Sequence, residues 1–511
     1  MVWNSFATPA IGKLVRAAAR VTKHGGSAFP GRIAEQIDPG FLARTLAQLP
    51  LGVVLVSGTN GKTTTTRMVA SMLSDLGLRV FTNPTGSNFT RGVVSALLER
   101  VTLGGRLDAD IAVLELDEAY AVHFVRQVRP RYALLLNVMR DQLDRFGEID
   151  NTARLLGHVA EATIGTVVLN REDPRIARLA ELVREPGANV RYFGLSDDLR
   201  SFFPSDDDMA TTVAVEGADS HSRPLPMREA SVPPTGGETG DAGREDGAVS
   251  DSSPASDDGG AQPAREPRLP ADVTLTRVGD HEADFLIAGE TSPRTTTVKL
   301  EGVYNLYNAA AALAVVRAVV ADAERFVRPS GKTAAGFADR LHTFAQTGAD
   351  PESLLAAVSR VTPAFGRGEV IDVNGQPTEL LLVKNPMGFR LSLASFPPNA
   401  DTDTMIVIND EYADGRDMSW LWDVDFTSLR GTGVKQVSGV RAWDMALRLE
   451  YDQVPVGAVD TDIDAVLAAF VRPDPARPHT TKHIYCTYTA MLKVRAALAR
   501  IADVADAGVG Q

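Results

Sequence analysis

The chain has 511 residues, which is too long for one hydrophobic core, and at about 100–200 residues per domain it predicts several domains. Its net charge of −13 argues against a nucleic-acid-binding protein, which needs a basic surface to contact phosphates. The single cysteine, Cys486, which we expect in a helix, excludes an internal disulfide and a cysteine-built zinc site and fits a reducing cytoplasm.

The first 44 residues predict a helical extension. Its apolar patches are interrupted by Lys13 and Arg16 and are too short and too polar for a signal peptide or a membrane anchor. No stretch of the sequence reaches 18 apolar residues, so we expect peripheral membrane contact at most.

The first buried strand leads into a phosphate-binding motif. The run LGVVLV (51–56) is β-branched and apolar, as in a parallel sheet, and GTNGKTT (58–64) then opens a helix whose N-terminal N–H groups favour an anion. Lys62 would reach the outer phosphates and the Thr63 hydroxyl would ligate Mg²⁺, although Val56 stands where the general phosphate-loop pattern has glycine. The predicted phosphate-binding residues are Gly58, Thr59, Asn60, Gly61, Lys62, Thr63 and Thr64.

Five strand patterns alternate with amphipathic stretches: VVLVSG, LRVFTN, IAVLELDEA, YALLLNV and TVVLN. This alternation predicts a doubly wound α/β domain with a mostly parallel sheet, whose ligands lie at the carboxyl ends of the strands. The third pattern ends in Glu115, Asp117 and Glu118, where a carboxylate could hold Mg²⁺. A solvated acidic turn is the alternative, but the phosphate loop opposite favours Glu115 as a metal ligand.

The composition changes from about residue 196 to residue 270, where Gly, Asp, Ser and Pro dominate. Such a segment buries too little apolar surface to offset its ordering entropy, which predicts a disordered acidic insert. Strand patterns then resume, followed by a helix from about Asn305 to Ala321. Asn305 and Asn308 either bind a base or ribose or cap that helix.

A second α/β module begins near Thr362, with strands ELLLVKN, TMIVIND and KQVSGV and a final helix. Arg367 is expected in a glycine-flanked turn, which suits phosphate recognition across a domain cleft. The segment SGKT (330–333) looks like a second phosphate loop, but no buried strand leads into it, and we assign it no phosphate site.

The segment INDEYADGRDMSWLWDVDF (408–426) is the densest polar cluster in the chain. Repulsion among so many carboxylates is hard to justify by stability alone, so we expect an interface or a substrate mouth. Its carboxylates and indoles belong to Asp410, Glu411, Asp414, Asp417, Trp420, Trp422, Asp423 and Asp425.

Four separated motifs occur in the order found in the Mur ligases of peptidoglycan synthesis: GTNGKTTT, NPTGSNFTRG, LNVMRDQLDRFG and YNLYNAAAA. The chain resembles that family from about Thr45 to its end. The resemblance implies a Mur ligase-type P-loop central domain at 45–361 and a smaller α/β C-terminal domain at 362–511. It also implies use of ATP and Mg²⁺ to turn a carboxylate into an acyl phosphate that an amine attacks. Only about fifty residues precede the phosphate loop, too few for the UDP-binding N-terminal domain of classical Mur ligases.

Four C-terminal motifs resemble the MurT family: KNPMGFRLSL, INDEYADGRDMSWLWDVDF, VSGVRAWDMALRL and YCTYTAML. Members are the Mur-like subunits of lipid II isoglutaminyl synthase and work with a GatD-type glutamine amidotransferase subunit. The resemblance implies a C–N ligase, with glutamine as amido donor, that amidates the D-glutamate α-carboxyl of the lipid II stem peptide to D-isoglutamine. It further implies GatD and lipid II as partners and a cytoplasmic location, free or at the inner face of the plasma membrane.

The resemblance also assigns nucleotide-site roles. Lys62 and Thr63 would serve the ATP phosphates and Mg²⁺, and Glu115 would be a second magnesium ligand. The other nucleotide-site residues that it implies are Asn83, Asn88, Asn305 and Arg367.

The MurT family also supplies an aspartate close to the catalytic Cys and His of its partner. The resemblance places it in the ADGRD stretch, with Asp417 favoured over Asp414 and Asp423. No zinc is expected, because the four-cysteine ribbon of some family members cannot form with one cysteine.

Two alternative functions remain open at this point. A conventional Mur-type or folylpolyglutamate-type ligase would add an amino acid without a partner subunit. A non-catalytic nucleotide-binding scaffold would regulate a partner, and it would tolerate the loss of Lys62.

Overall fold

The computed structural model describes residues 4–21, 29–83, 89–139, 149–203, 268–279, 281–300, 303–326, 335–362, 367–411, 414–478, 480–502 and 504. Residues Met1–Asp206 and Pro270–Gln511 form one unit with two β-sheets. Residues Asp207–Leu269 form a second unit, of which Arg268 and Leu269 are described.

Three helices precede the first strand: α1 (Asn4–Val21), α2 (Phe29–Ile37) and α3 (Phe41–Leu46). Helix α2 packs closely on a later helix, α5 (Thr90–Arg100), because Gly31 carries no side chain. The Gly31 N–H donates to Ser95 Oγ at 2.8 Å, and a Cβ on Gly31 would lie 2.1 Å from the carbonyl oxygen of Arg91. The close approach attaches the N-terminal helices to the α/β domain.

The first sheet has nine strands in the order β2-β3-β1-β4-β5-β6-β7-β8-β9. Strands β2 to β7 pair in parallel, and β8 and β9 add an antiparallel edge. Its strands and helices are β1 (Val53–Ser57), α4 (Lys62–Asp75), β2 (Val80–Thr82), α5, β3 (Ile111–Glu115), α6 (Glu118–Val125), β4 (Tyr132–Leu135), α7 (Ile149–Ala162), β5 (Thr166–Asn170), α8 (Pro174–Ala177), β6 (Asn189–Leu195), β7 (Val273–Val278), β8 (Glu282–Ile287), β9 (Arg294–Thr297), α9 (Val303–Phe326), α10 (Ala335–Ala349) and α11 (Pro351–Ser359).

Alternate residues of β1 face two separate cores, as the pleat of a strand requires. Val54 packs with Met68 of α4 on one side of the sheet, and Val53 packs with Val93 of α5 on the other. The predicted doubly wound, mostly parallel α/β fold is confirmed.

The predicted start of the disordered insert at about residue 196 is wrong. Residues Asp197–Phe202 form a 3₁₀ helix, and Leu199 and Phe203 are buried in the core. The Phe203 ring lies 4.8 Å from the ring of Tyr304 and 5.4 Å from that of Tyr307 in α9. These distant aromatic partners provide the apolar burial that the local composition does not predict. The rest of the predicted insert, up to residue 267, lies outside the described residues.

The second sheet has six strands in the order β10-β11-β15-β12-β13-β14. Strands β10 and β11 form an antiparallel hairpin, and the other neighbours pair in parallel. Its strands and helices are β10 (Arg367–Val373), β11 (Gln376–Leu382), α12 (Pro386–Ser395), β12 (Thr402–Val407), β13 (Val434–Ser438), α13 (Ala442–Tyr451), β14 (Val456–Val459), α14 (Ile463–Phe470), β15 (Thr481–Cys486) and α15 (Tyr488–Leu498). The smaller C-terminal α/β fold is thereby also confirmed.

Two local predictions in this sheet are wrong. Arg367 begins strand β10, opposite Leu381, and does not lie in a turn. Cys486 ends strand β15, in the middle of the sheet between β11 and β12, and does not lie in a helix. Both errors arise because strand pairing, and not the local sequence, decides the conformation of these residues.

Helix α9 begins at Val303, so Asn305 and Asn308 lie inside the helix and neither caps it. Its stretch Tyr304–Ala323 is long and apolar enough to cross a membrane by length and composition. However, 78% of its most apolar window is buried inside the protein, where the helix packs on α4 and the sheet. Its apolar character is that of a core helix.

Candidate functional site

The carboxyl ends of β1, β3 and β4 lie side by side, because β1 pairs with both of the other strands. In the register, Val56 of β1 lies beside Glu115 of β3, and Ser57 lies beside Leu135 of β4. The loop after β1 is therefore flanked by the ends of β3 and β4. This is the edge at which open α/β sheets bind ligands.

Two glycines shape the loop between β1 and α4. Gly58 has φ 135° and Gly61 has φ 84°, values that favour glycine, and α4 starts directly after Gly61. A Cβ on Gly61 would lie 2.6 Å from Asn308 Oδ1, so α9 packs against the loop. The predicted residues 58–64 thus form one loop at a helix N-terminus, the geometry of an anion site.

Asn137, at the end of β4, supports the same loop. Its side-chain Oδ1 accepts from the Asn60 N–H at 2.8 Å, its Nδ2 donates to the Asn60 carbonyl at 3.0 Å, and its carbonyl accepts from the Thr59 N–H at 2.9 Å. Asn137 carries no predicted role. Its position at the end of a predicted buried strand was the available signal.

The ammonium group of Lys62 is buried within the loop and paired. It donates to the Gly58 carbonyl at 2.6 Å and to the Thr59 carbonyl at 3.3 Å. Asp117 lies 3.2 Å from it and Glu118 lies 3.7 Å from it. Such pairing offsets the cost of burying a charge.

The two predicted metal ligands lie together beside the loop. Thr63 Oγ1 donates to Glu115 Oε1 at 2.8 Å, and both residues are buried. Asn83 fixes the strand end by accepting from the Glu115 N–H at 2.9 Å and donating to the Glu115 carbonyl at 3.0 Å. One hydroxyl and one carboxylate fit Mg²⁺, which takes few protein ligands beside phosphate oxygens. Among the described residues, no group of three or more His, Cys, Asp and Glu side chains is arranged to hold a metal.

The remaining predicted nucleotide-site residues differ in what the structure describes. Asn305 accepts from Asn308 Nδ2 at 3.2 Å, next to Gly61. Asn88 lies outside the described residues, and of Arg367 the structure describes only the backbone. The motif residues 140–148 and the SGKT segment at 330–333 also lie outside them.

The segment between β11 and α12 reaches the phosphate loop from the second sheet. Asn385 Nδ2 donates to Asn60 Oδ1 at 3.0 Å, and Asn60 Nδ2 donates back at 3.4 Å. Lys384 Nζ donates to the Thr59 carbonyl at 3.3 Å. These two residues end the predicted strand ELLLVKN and carry no predicted site role, although the proline directly after Asn385 is typical of a helix start.

The acidic segment is less repulsive than its sequence suggested, because most of its carboxylates have structural partners. Asp410 pairs with Arg441 at 2.8 Å, and Glu411 pairs with Lys493 at 2.9 Å. Asp425 accepts from the Thr427 N–H at 2.8 Å. For these residues, repulsion between carboxylates therefore does not indicate a function.

The three candidate catalytic aspartates have different environments. Asp414 is buried and accepts from the N–H and hydroxyl of Thr489 in α15, and burial raises the pKa of its carboxyl. Asp417 is half-buried, and its hydrogen bond from Ser419 lowers the pKa of its carboxyl, so it stays ionised. Asp423 is exposed. Asp414 therefore holds the loop to α15, while Asp417 and Asp423 are more accessible.

Replacing Asp414 with alanine is expected to lower the free energy of unfolding by about 2–3 kcal/mol, because buried donors of Thr489 and Glu411 lose their acceptor. The Asp417→Ala and Asp423→Ala variants are expected to stay within about 1 kcal/mol of the parent. Urea unfolding of the full chain measures all three. Equal stability of the Asp414 variant and the parent would contradict a holding role.

An exposed apolar face borders this acidic loop. It consists of Trp422, Val440, Trp443, Leu447 and Tyr451, each at least half exposed, and Trp443 is 66% exposed. The rings of Trp422 and Tyr451 lie 5.0 Å apart, which joins the loop to α13. Helix α13 buries Met445 and Leu449 on its other side, so it is apolar on two faces, as expected of a helix that is covered on both.

The fold and the phosphate loop define the class, and sequence comparison agrees with it. The family described as Mur ligase middle domain matches residues 56–221, and the family described as MurT ligase C-terminal matches residues 382–491. The chain is thus similar to the Mur ligases in its middle part and to the MurT family in its C-terminal part, and relatives that match most of it are named MurT.

Two relatives carry the name Lipid II isoglutaminyl synthase (glutamine-hydrolyzing) subunit MurT. The protein of Streptococcus pneumoniae (strain ATCC BAA-255 / R6) is 28% identical over 486 residues, which cover 93% of this chain and 92% of that protein. The protein of Staphylococcus aureus (strain COL) is 26% identical over 453 residues, or 87% of each chain. Both relatives are named as subunits, that is, as parts of larger assemblies.

The fold is also similar to that of the MurF ligase from Thermotoga maritima, solved in complex with ADP. The TM-score is 0.55 with 16% sequence identity, over 91% of this chain and 83% of that one. This likeness concerns the fold.

Proposed function

We propose that this chain is the ATP-using subunit of an enzyme that amidates the D-glutamate α-carboxyl of the lipid II stem peptide to D-isoglutamine, in peptidoglycan synthesis. It is then a C–N ligase with glutamine as amido donor. Relatives that match most of the chain carry the name of this synthase. The observation that carries the proposal is the buried Lys62 in a glycine-shaped loop, with Thr63 and Glu115 paired beside it.

The phosphate loop supplies the activation step. A carboxylate resists ammonia, because its charge repels nucleophiles and oxide is a poor leaving group. In transfer of the ATP γ-phosphoryl group to the carboxylate, Lys62 stabilises the charge that develops on the phosphoryl oxygens, and the N–H groups at the start of α4 hold the other phosphates. Thr63 and Glu115 would hold Mg²⁺, which offsets phosphate charge when bound. We assign Asn83, Asn88, Asn305 and Arg367 to the same nucleotide site.

The ammonia comes from a separate subunit. The only cysteine of the chain, Cys486, is fully buried, and burial raises the pKa of its thiol, which removes the thiolate that a glutaminase needs. We therefore propose a GatD-type glutamine amidotransferase as partner. Asp417, ionised and half-buried, is our first candidate for the aspartate that orients the partner's catalytic histidine, ahead of Asp414 and Asp423.

The partner docks on the exposed apolar face. This face is continuous with the loop that carries Asp417, because Arg448 of α13 donates to the Leu421 and Val424 carbonyls at 3.2 and 2.6 Å. Docking here brings the partner to the candidate aspartates. The complex would work in the cytoplasm, at the inner face of the plasma membrane where lipid II is exposed.

The test is to co-express the chain with a GatD-type subunit and supply lipid II, glutamine, ATP and Mg²⁺. We expect the stem peptide to show the mass change of one carboxyl becoming a carboxamide. Unchanged lipid II with a well-folded complex would overturn the proposal. Gain of an amino-acid mass without the partner would instead support a conventional Mur-type or folylpolyglutamate-type ligase.

A further inference from the structure

The segment that follows β11 is held rigidly at the edge of the second sheet. Asn385 caps α12, because its Oδ1 accepts from the Gly388 N–H at 2.7 Å and Pro386 occupies the first helical position. Strand β11 fixes the other side of the segment by pairing with β10 and β15. Lys384 therefore projects from a defined backbone.

Two lysines from different sheets converge on one oxygen atom. Lys62 Nζ and Lys384 Nζ each donate to the Thr59 carbonyl at 3.3 Å. Two ammonium groups at one neutral acceptor repel each other. An anion between them would attract both and make the net interaction favourable. The convergence therefore marks a place for negative charge.

Two carboxylates of this chain lie close to the Lys62 ammonium group. Lys62 lies within 3.7 Å of both Asp117 and Glu118, so its charge is already offset by carboxylates of this chain. A triphosphate brings further negative charge to the same loop. A second cation from the opposite side would add attraction for the triphosphate, because the two carboxylates reduce the attraction that Lys62 provides.

We propose that Lys384 binds the terminal phosphate of a nucleoside triphosphate and so links the second sheet to the phosphate loop when ATP, rather than ADP, is bound. The inference rests on the nucleotide-binding part of the proposed function. The Asn385–Asn60 amide pair keeps the segment against the loop, so a phosphate oxygen can take the place of the Thr59 carbonyl as an acceptor for Lys384. A charged phosphate is the stronger acceptor.

The experiment measures the affinity of the full-length chain by calorimetry for ADP and for a non-hydrolysable β,γ-imido analogue of ATP, both with Mg²⁺. Replacing Lys384 with methionine is expected to weaken binding of the analogue about 10- to 100-fold, and binding of ADP less than about 3-fold. The Lys384→Arg variant should retain most of the preference for the triphosphate. The Lys435→Met variant, at an exposed position of β13, is the matched control and should bind both nucleotides as the parent does.

Equal losses for both nucleotides would overturn the proposal, because they would show that Lys384 only supports the loop. Unchanged affinity for the triphosphate analogue would overturn it as well. A parent chain that binds neither nucleotide would mean that the proposed function itself has failed, which is a separate result.

Discussion

Replacing Lys62 with alanine is expected to slow ATP-dependent amidation by about 10²–10³-fold or more, because the phosphate loop loses its central cation. The loss should lie at the upper end of that range. Asp117 and Glu118, which lie 3.2 and 3.7 Å from the Lys62 ammonium group, would then repel the triphosphate without the compensating charge of that lysine. The measurement is the initial rate of carboxamide formation on lipid II, by mass spectrometry, with the partner subunit present.

Two controls separate chemistry from folding in the Lys62 experiment. Lys435→Ala removes an exposed lysine of β13 and should leave the rate unchanged. Thermal unfolding of the Lys62 variant shows whether its fold is intact. Amidation at the parent rate by a folded Lys62→Ala variant would favour the scaffold alternative, in which the nucleotide is not consumed.

Replacing Trp443 with serine is expected to weaken binding of the glutaminase subunit about 30-fold or more, with a larger loss when Leu447 is replaced as well. A central tryptophan of an interface commonly contributes about 2 kcal/mol or more. Because Trp443 is 66% exposed and Leu447 is 53% exposed, the free chain should keep its stability. Sedimentation or surface-based titration with the purified partner measures the dissociation constant.

The chain offers a matched control for this surface. Leu103 is 67% exposed but lies before β3 in the first sheet, so Leu103→Ser should leave partner binding unchanged. Ammonium chloride should restore amidation to the Trp443 variant, since only the ammonia supply is lost. Undiminished affinity in the double variant would show that the partner binds elsewhere, while failure of the ammonium rescue would show damage to the activation step.

The central strands were predictable because each is a short apolar run buried on both faces of a parallel sheet. The phosphate loop was predictable for a similar reason. Gly58 and Gly61 set the backbone conformation of the loop, and Lys62 begins the helix that follows. Residues 58–64 therefore contain most of the information that sets the local conformation. Even the pairing of Thr63 with Glu115 followed from a rule of topology, which places the ends of parallel strands at one edge.

The errors fall where a distant segment determines the outcome. Phe203 is ordered because Tyr304 and Tyr307 cover it, and Cys486 lies in a strand because β11 and β12 flank it. The sequence of the acidic segment predicted repulsion between its carboxylates. In the fold, Arg441 and Lys493 pair with two of them. Composition and periodicity carry no information about such partners.

The sequence by itself determined the class of fold, the glycine-containing loop at 58–64 and the closeness of Thr63 to Glu115, since these depend on local hydrophobic pattern, on strand topology and on the backbone freedom of a few glycines. The tertiary structure decided which residues of the second sheet reach that loop. Lys384 and Asn385 contact Thr59 and Asn60 across 325 positions of sequence, and Trp443 joins Trp422 in one apolar face through the packing of α13 on the acidic loop. The physical reason is that two sheets can be placed against each other in many ways with the same local sequence, and only the sum of the long-range contacts selects one.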